Sequence, residues 1–171
     1  MWIADITYIR LKGEFVFLAV GLGAWSREVI GWNLSRSVQS HMALKALRQA
    51  LEARKPAAGL VHHSDRGIQY ATEDYYEVLK KHGVVPSTSR ARNPWDIAAC
   101  ESFMRTLKAE EVNGKAYRNM EELRAQIEPF LSEYYNKRRL HSSLGYSTPK
   151  RFEELNGSAA PLAAVLEFYE A

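Results

Sequence analysis

The chain has 171 residues, of which 46% are hydrophobic and 25% charged, as in an ordinary globular domain with one buried core. Its apolar stretches fall short of the roughly 20 residues of a membrane-spanning helix, and its single cysteine, Cys100, excludes an internal disulfide and a cysteine-rich zinc site. The net charge of +3 lies mainly in residues 80–151, with fourteen Lys or Arg and eight Asp or Glu, which fits either a polyanionic partner or a solvated charged face.

The first third of the chain predicts three short strands. Residues 2–10 alternate imperfectly between apolar and polar side chains, and Lys12-Gly13 marks a turn. Residues 15–22 form a nearly continuous apolar run, which is typical of a central strand, and residues 28–34 form a third strand. Because the connections are short, we expect these strands to form an antiparallel meander.

The remainder of the chain alternates between helices and strands. The predicted elements are a helix from Ser40 that Pro56 ends, a strand at 60–63, a helix from Thr72 to about His82, a strand at 84–88, a helix at about 95–111 and a helix from Asn119 that Pro129 would kink. The strand at 60–63 follows a crossover helix and should run parallel to its neighbour. This order predicts an α/β fold, a mixed five-stranded sheet with flanking helices.

Three acidic residues are candidates for a metal site. Asp5 lies in the middle of the first strand, Asp65 ends the fourth strand with Gly67 allowing a tight turn after it, and Glu101 lies on a helix. Carboxylates in strand-like runs are costly to bury unless they are paired or bound to metal, and hard divalent cations prefer oxygen ligands. If the three converge, they predict a magnesium site; each alone is more simply a surface or capping residue.

Four motifs in a fixed order surround these acids and carry a family resemblance. They are Trp2-Ile3-Ala4-Asp5-Ile6-Thr7-Tyr8; His62-His63-Ser64-Asp65-Arg66-Gly67; Trp95-Asp96 leading to Glu101-Ser102-Phe103; and Tyr134-Tyr135-Asn136 followed by Arg139 and His141. In these motifs and their spacing, residues 1–151 resemble the catalytic core of the DDE transposases and retroviral integrases, and most of all the OrfB-type transposases of bacterial insertion sequences.

The resemblance implies an RNase H-like fold and a specific chemistry. Asp5, Asp65 and Glu101 would be the catalytic residues and would hold two Mg²⁺ ions, for which Mn²⁺ could substitute. The implied reaction is cleavage of a DNA strand at an element end, followed by transfer of the freed 3′-hydroxyl to target DNA without a covalent enzyme intermediate. Residues 1–151 would form the catalytic core, and residues 152–171 a C-terminal tail.

The resemblance also implies that DNA is the partner, both as element ends and as target, and that the protein acts as a homodimer or larger assembly. Arg105 and Lys108 follow Glu101 by four and seven residues, which places them on its helix face, where they would contact DNA. Arg66, Arg90 and Arg92 are weaker candidates for DNA contact. A plain Glu-Arg pair on the helix is the alternative interpretation of Arg105. We expect a cytoplasmic bacterial protein, not a membrane protein, that acts at the nucleoid.

Several features depart from the family pattern or compete with this interpretation. Gly23 stands where the family usually has aspartate, and Ile97 where it usually has asparagine. Asp96 is a rival third ligand that we interpret as structural, and we expect His62 and His63 to pack rather than bind metal. The family normally has a helical DNA-binding region upstream, whereas this chain begins almost at the first catalytic strand, so we expect sequence-specific recognition of element ends to be missing here. A truncated, non-catalytic DNA-binding or dimerising fragment, or a simpler RNase H-like nuclease, are the alternative functions.

Overall fold

A computed structural model describes residues 1–88 and 94–157 of the chain. The first half contains the strands β1 (Trp2–Arg10), β2 (Phe15–Gly23) and β3 (Val29–Ser35), helix α1 (Ser40–Arg54), strand β4 (Val61–Ser64), helix α2 (Glu73–Lys81) and strand β5 (Val85–Thr88). The second half contains α3 (Pro94–Leu107), a π-helical segment (Lys108–Val112), α4 (Met120–Pro129), a second π-helical segment (Phe130–Tyr135), a 3-10 turn (Ser142–Leu144) and α5 (Pro149–Asn156).

The five strands form one mixed sheet in the order β3-β2-β1-β4-β5. β1 pairs antiparallel with β2, and β2 with β3, while β4 runs parallel to both β1 and β5. The predicted fold class is therefore confirmed, including the antiparallel meander and the parallel fourth strand. β1 lies at the centre of the sheet, where an antiparallel and a parallel neighbour meet.

Each face of the sheet buries its own hydrophobic core because strand side chains alternate between faces. On one face, Trp2 and Ala4 of β1 pack with buried residues of α1 and α2. On the other face, Ile3 and Ile9 pack with Phe103 of α3 and with buried residues of α4 and the second π-helical segment. Odd-numbered residues of β1 therefore face α3, and this decides where the polar residues among them point.

Two helices change from α to π geometry, which alternation patterns did not predict. The predicted helix at 95–111 is α-helical only to Leu107 and π-helical from Lys108 to Val112. The expected kink at Pro129 takes the form of a second such change, because a π-helical segment begins at Phe130. Proline removes an intrahelical hydrogen bond and crowds the preceding turn, which explains a change of helix type there. At the start of this helix, the Asn119 side chain accepts the Glu122 N–H at 2.9 Å and so caps the helix.

The expected boundary between core and tail at residue 151 falls inside α5. Phe152 packs edge-on against Trp25 with ring centroids 4.9 Å apart, and the Glu153 carboxylate pairs with Arg54 at 2.5 Å. Residues 152–156 thus pack on the core, while residues 158–171 lie outside the described residues. None of the described helices is long and apolar enough to cross a membrane.

Candidate active site

Asp5 lies in the middle of β1, on the face of the sheet that α3 covers. Its Oδ1 accepts the N–H of Ile6 at 2.8 Å. Burial raises the pKa of Asp5 from 3.8 to about 6, and the negative charges of Asp65 and Glu101 raise it further, against the lowering effects of that hydrogen bond and of Lys108. The carboxylate is thus held in a poorly solvated place that disfavours its charged form unless a proton or a cation neutralises it.

Asp65 is brought beside Asp5 by the pairing of two parallel strands. Ala4 of β1 lies opposite Ser64, the last residue of β4, so Asp5 and Asp65 follow at the same level of the sheet. Asp65 Oδ1 accepts the N–H of Gly67 at 2.9 Å, which turns the chain directly after the strand. A Cβ on Gly67 would clash first with the side-chain amide of Gln69 and would lie 2.8 Å from that oxygen, so both side chains would have to shift.

Glu101 approaches the two aspartates from α3. Its neighbours Cys100 and Phe103 are fully buried, and the Cys100 Sγ lies 4.0 Å from the Ile3 carbonyl of β1, which sets the helix directly on the strand. Glu101 itself is exposed, and its charge reaches Asp5 as one of the causes of the raised pKa. Helix α3 therefore places a third carboxylate, that of Glu101, near Asp5.

The chemistry of these donors suits magnesium, because three carboxylates supply the hard oxygen ligands that this ion prefers. Within residues 1–88 and 94–157, however, no three His, Cys, Asp or Glu side chains are already arranged to hold a metal ion. Burial is the main reason that the pKa of Asp5 is raised, and repulsion from the charges of Asp65 and Glu101 adds to it. The three acids share one neighbourhood, and their role as a metal site stays a prediction.

The cations predicted to contact DNA are only partly placed by the structure. Lys108 lies near the acids, because its charge lowers the pKa of Asp5, and its amine sits 5.2 Å from the centre of the Tyr8 ring. Arg105 and Arg66 are exposed on the surface. Arg90 and Arg92 lie outside the described residues, and so does the side chain of Asp96.

The histidines beside Asp65 pack within the protein, as expected. Nε2 of His62 is 2.7 Å from the Tyr75 hydroxyl, and Nδ1 of His63 is 3.1 Å from the Ser87 hydroxyl. Burial lowers the pKa of His62 to about 4, so this imidazole is neutral at physiological pH. Tyr70, which the sequence analysis did not single out as functional, is buried close to the acids: burial raises its pKa, with Tyr75, Asp5 and Asp65 adding to the effect.

Comparison with known protein families identifies one family along most of the chain. Two family models, both described as integrase core domain, match residues 1–94 and residues 82–149. The two matches overlap at residues 82–94, after α2, so Asp5 and Asp65 belong to the first match and Glu101 to the second.

Individual relatives agree with the family match. The chain is 37% identical over 156 residues to the transposase for insertion sequence element IS904 of Lactococcus lactis, covering 91% of the chain and 62% of that protein. It is 38% identical over 155 residues to the transposase InsF for insertion sequence IS3A of Escherichia coli, covering 91% of the chain and 54% of that protein. The chain therefore spans between half and two thirds of the length of these relatives.

Among solved structures, the catalytic core domain of HTLV-2 integrase in complex with magnesium shares the fold. The TM-score is 0.65 at 16% sequence identity, covering 88% of this chain and 93% of that one. At this level of identity the likeness concerns the fold alone, and it agrees with the mixed sheet and flanking helices described above.

Proposed function

Because this chain belongs to the integrase core domain family, we propose that it is the catalytic core of an insertion-sequence transposase. The proposed activity is divalent-metal-dependent cleavage of a DNA strand, followed by transfer of the freed 3′-hydroxyl to target DNA. The observation that carries this proposal is that Asp5 and Asp65 directly follow the paired residues Ala4 and Ser64 of β1 and β4, with the charge of Glu101 contributing to the raised pKa of Asp5.

The three carboxylates are proposed as the ligands of the catalytic metal. Mg²⁺ or Mn²⁺ bound there would supply charge stabilisation at the reacting phosphate and would acidify an attacking water or hydroxyl. The residues of the chain provide the setting for this chemistry. The strand pairing fixes both aspartates, Gly67 N–H holds Asp65 by its Oδ1, and Cys100 and Phe103 anchor the helix that carries Glu101.

Nearby cations are proposed to position the DNA. Lys108 and Arg105, on the helix of Glu101, would contact phosphates beside the strand to be cut, where charge rather than base sequence decides binding. Arg66, next to Asp65, is proposed to contact phosphates of the same DNA strand. Joining two element ends to one target requires two active sites, so we propose a homodimer or a larger assembly on DNA. The solved HTLV-2 integrase cores include both a dimeric and a trimeric form.

Cleavage of an element-end duplex tests the proposal. The chain and its Asp65→Asn variant are incubated with labelled duplex and Mn²⁺, and cut and joined strands are separated on one gel. We expect metal-dependent products from the unchanged chain and a decrease of at least about 100-fold for the variant, with an unchanged urea midpoint. Exposed Asp74 on α2 provides the matched control, Asp74→Asn, which should cleave normally.

The outcomes separate this proposal from its alternatives. Undiminished cleavage by Asp65→Asn would exclude the proposed site. DNA binding without any cleavage, even in Mn²⁺, would indicate a binding or dimerising fragment. Cutting of RNA–DNA hybrids without joining of 3′ ends would indicate a simpler nuclease of the same fold.

A further inference from the structure

A groove lies beside the acids, at the carboxyl end of β1. It is lined by residues 8–12, by Lys108 and by residues 112–117, and it encloses about 540 Å³. The N–H of Lys12 donates to the carbonyl of Tyr117 at 3.1 Å, so a backbone hydrogen bond joins the turn after β1 to the loop before α4. This groove, called the β1 groove below, is therefore built by two segments that are far apart in sequence.

The β1 groove is strongly basic. Its described lining contains four cations, Arg10, Lys12, Lys108 and Lys115, and no carboxylate. Lys115 is neutralised in part by Glu111, whose carboxylate lies 2.8 Å from its amine. Among the described residues, no ion pair holds Arg10, Lys12 or Lys108. Lys108 and Lys12 act at longer range on the carboxylates of Asp5 and Glu122, respectively. Cations that are held in no close ion pair around a concave surface favour the binding of a polyanion.

Exposed aromatic rings accompany these cations. Tyr8 in the lining is 60% exposed, and Phe15, which contacts it with ring centroids 6.0 Å apart, is 51% exposed. The Arg10 guanidinium lies 5.9 Å from the centre of the Phe15 ring, and the Lys108 amine lies 5.2 Å from that of Tyr8. Proteins bind unpaired nucleic acid strands on surfaces that combine aromatic rings with cations. The cations contact the phosphates of the strand, and the unpaired bases stack on the rings.

Lys108 belongs both to the β1 groove and to the surroundings of the acids. Its side chain lines the groove beside Tyr8, and Tyr8 follows Asp5 by three residues along β1. Its charge also reaches the Asp5 carboxylate. Lys108 therefore connects the acids with the groove, and a strand whose phosphate is at the acids would enter the groove past this lysine.

We propose that the β1 groove binds a single-stranded segment of DNA next to the strand break, with its phosphates on Arg10, Lys12 and Lys108 and a base stacked on Tyr8. The inference rests on the proposed function, since the strand reaches the groove from the acids. A single strand fits better than a duplex, because paired bases cannot turn their faces to Tyr8 and Phe15. The proposal thereby specifies the form of the DNA next to the strand break, which the three acids alone do not define.

Binding of a labelled oligothymidylate in EDTA tests the charge part of the proposal without any cleavage. The double variant Arg10→Gln/Lys12→Gln should weaken binding about 10- to 30-fold at about 0.1 M salt and lower the slope of log Kd against log salt by about 1.4. The matched control is Lys45→Gln/Arg48→Gln, which removes one lysine and one arginine from the exposed face of α1. Equal affinities and salt slopes for the two double variants would overturn the proposal.

Stacking is tested with two strands that share a backbone. Tyr8→Ala should weaken binding of oligothymidylate about 5- to 150-fold and leave binding of an abasic strand of the same length nearly unchanged. Tyr76→Ala, which removes an exposed tyrosine from α2, is the control and should change neither. Equal weakening of both strands by Tyr8→Ala would show that bases do not stack on this ring. Binding of a duplex, or of polyglutamate, as tightly as oligothymidylate would show that the groove is not a single-strand site.

Failure of this proposal can be told apart from failure of the proposed function. The groove is wrong and the function stands if metal-dependent cleavage depends on Asp65 while oligothymidylate binding ignores Arg10, Lys12 and Tyr8. The function is wrong and the groove stands if no cleavage occurs and the variants still lose binding as predicted.

Discussion

Replacing Asp5 with asparagine should stabilise the metal-free protein while it removes a proposed metal ligand. Burial, with the charges of Asp65 and Glu101, raises the pKa of Asp5 from 3.8 to about 6. The folded state therefore binds this proton more tightly than the unfolded state, so the free energy of unfolding falls as the pH rises from about 4 to about 6. Since one pKa unit corresponds to about 1.4 kcal/mol, the ionised carboxylate destabilises the fold by about 3 kcal/mol at neutral pH.

Asparagine has nearly the same shape, and its carbonyl oxygen can still accept the Ile6 N–H, but it carries no charge. In EDTA at about pH 7.5, urea unfolding of Asp5→Asn should give a free energy of unfolding about 2–3 kcal/mol above that of the unchanged chain. The difference should shrink as the pH falls from about 6 to about 4 and vanish below about 3, where Asp5 is protonated in both states.

Two further measurements complete this test. Glu52→Gln, which removes an exposed carboxylate from α1, is the control and should change stability by less than about 0.5 kcal/mol. Mg²⁺ should stabilise the unchanged chain and leave Asp5→Asn unaffected, because only the former offers the full set of carboxylates. A variant that is no more stable than the unchanged chain at about pH 7.5 would refute the argument that Asp5 is held at a cost to the fold.

Two other variants test the hydrogen bonds between Asn136 and Val29 and the space around the Asp65 carboxylate. Asn136 pairs with both backbone groups of Val29 at 2.9 Å, so Asn136→Ala should lower the free energy of unfolding by about 2–4 kcal/mol in urea; a loss below about 1 kcal/mol would contradict the importance of this pairing. Gly67→Ala should slow metal-dependent cleavage about 10- to 100-fold because its Cβ would displace the Gln69 side chain and the Asp65 carboxylate, whereas Gly13→Ala, which meets no atom within 4 Å, should not; equal rates would show that Asp65 tolerates the shift.

The fold was predictable because local signals and connection lengths agree. Short turns between the first three apolar runs allow only an antiparallel meander, and a helix between two strands favours a parallel crossover. The same logic placed Asp65 directly after β4, where Gly67 and the end of the apolar run mark the end of the strand. The residues that cap α4 were also predictable, because Asn119 and Glu122 form a local pair.

Features that depend on distant contacts were not predictable from local patterns. The docking of α5 rests on Arg54, which pairs with Glu28 at 3.1 Å and with Glu153 at 2.5 Å, and neither partner lies near it in sequence. Lys12 was interpreted only as a turn residue, because its place in the β1 groove depends on contact with the loop before α4. The change to π geometry at Lys108 was not predictable either, because the spacing of apolar residues in the sequence shows no break there.

That change of helix type explains how one helix serves both the acids and the β1 groove. From Glu101 to Leu107 the helix is α-helical, so Lys108, seven residues after Glu101, lies close to its face and reaches Asp5. From Lys108 the wider turn carries buried Glu111, which pairs with Lys115 and accepts a hydrogen bond from the Tyr117 hydroxyl. The α-helical part thus presents the third acid, and the π-helical part forms a wall of the groove.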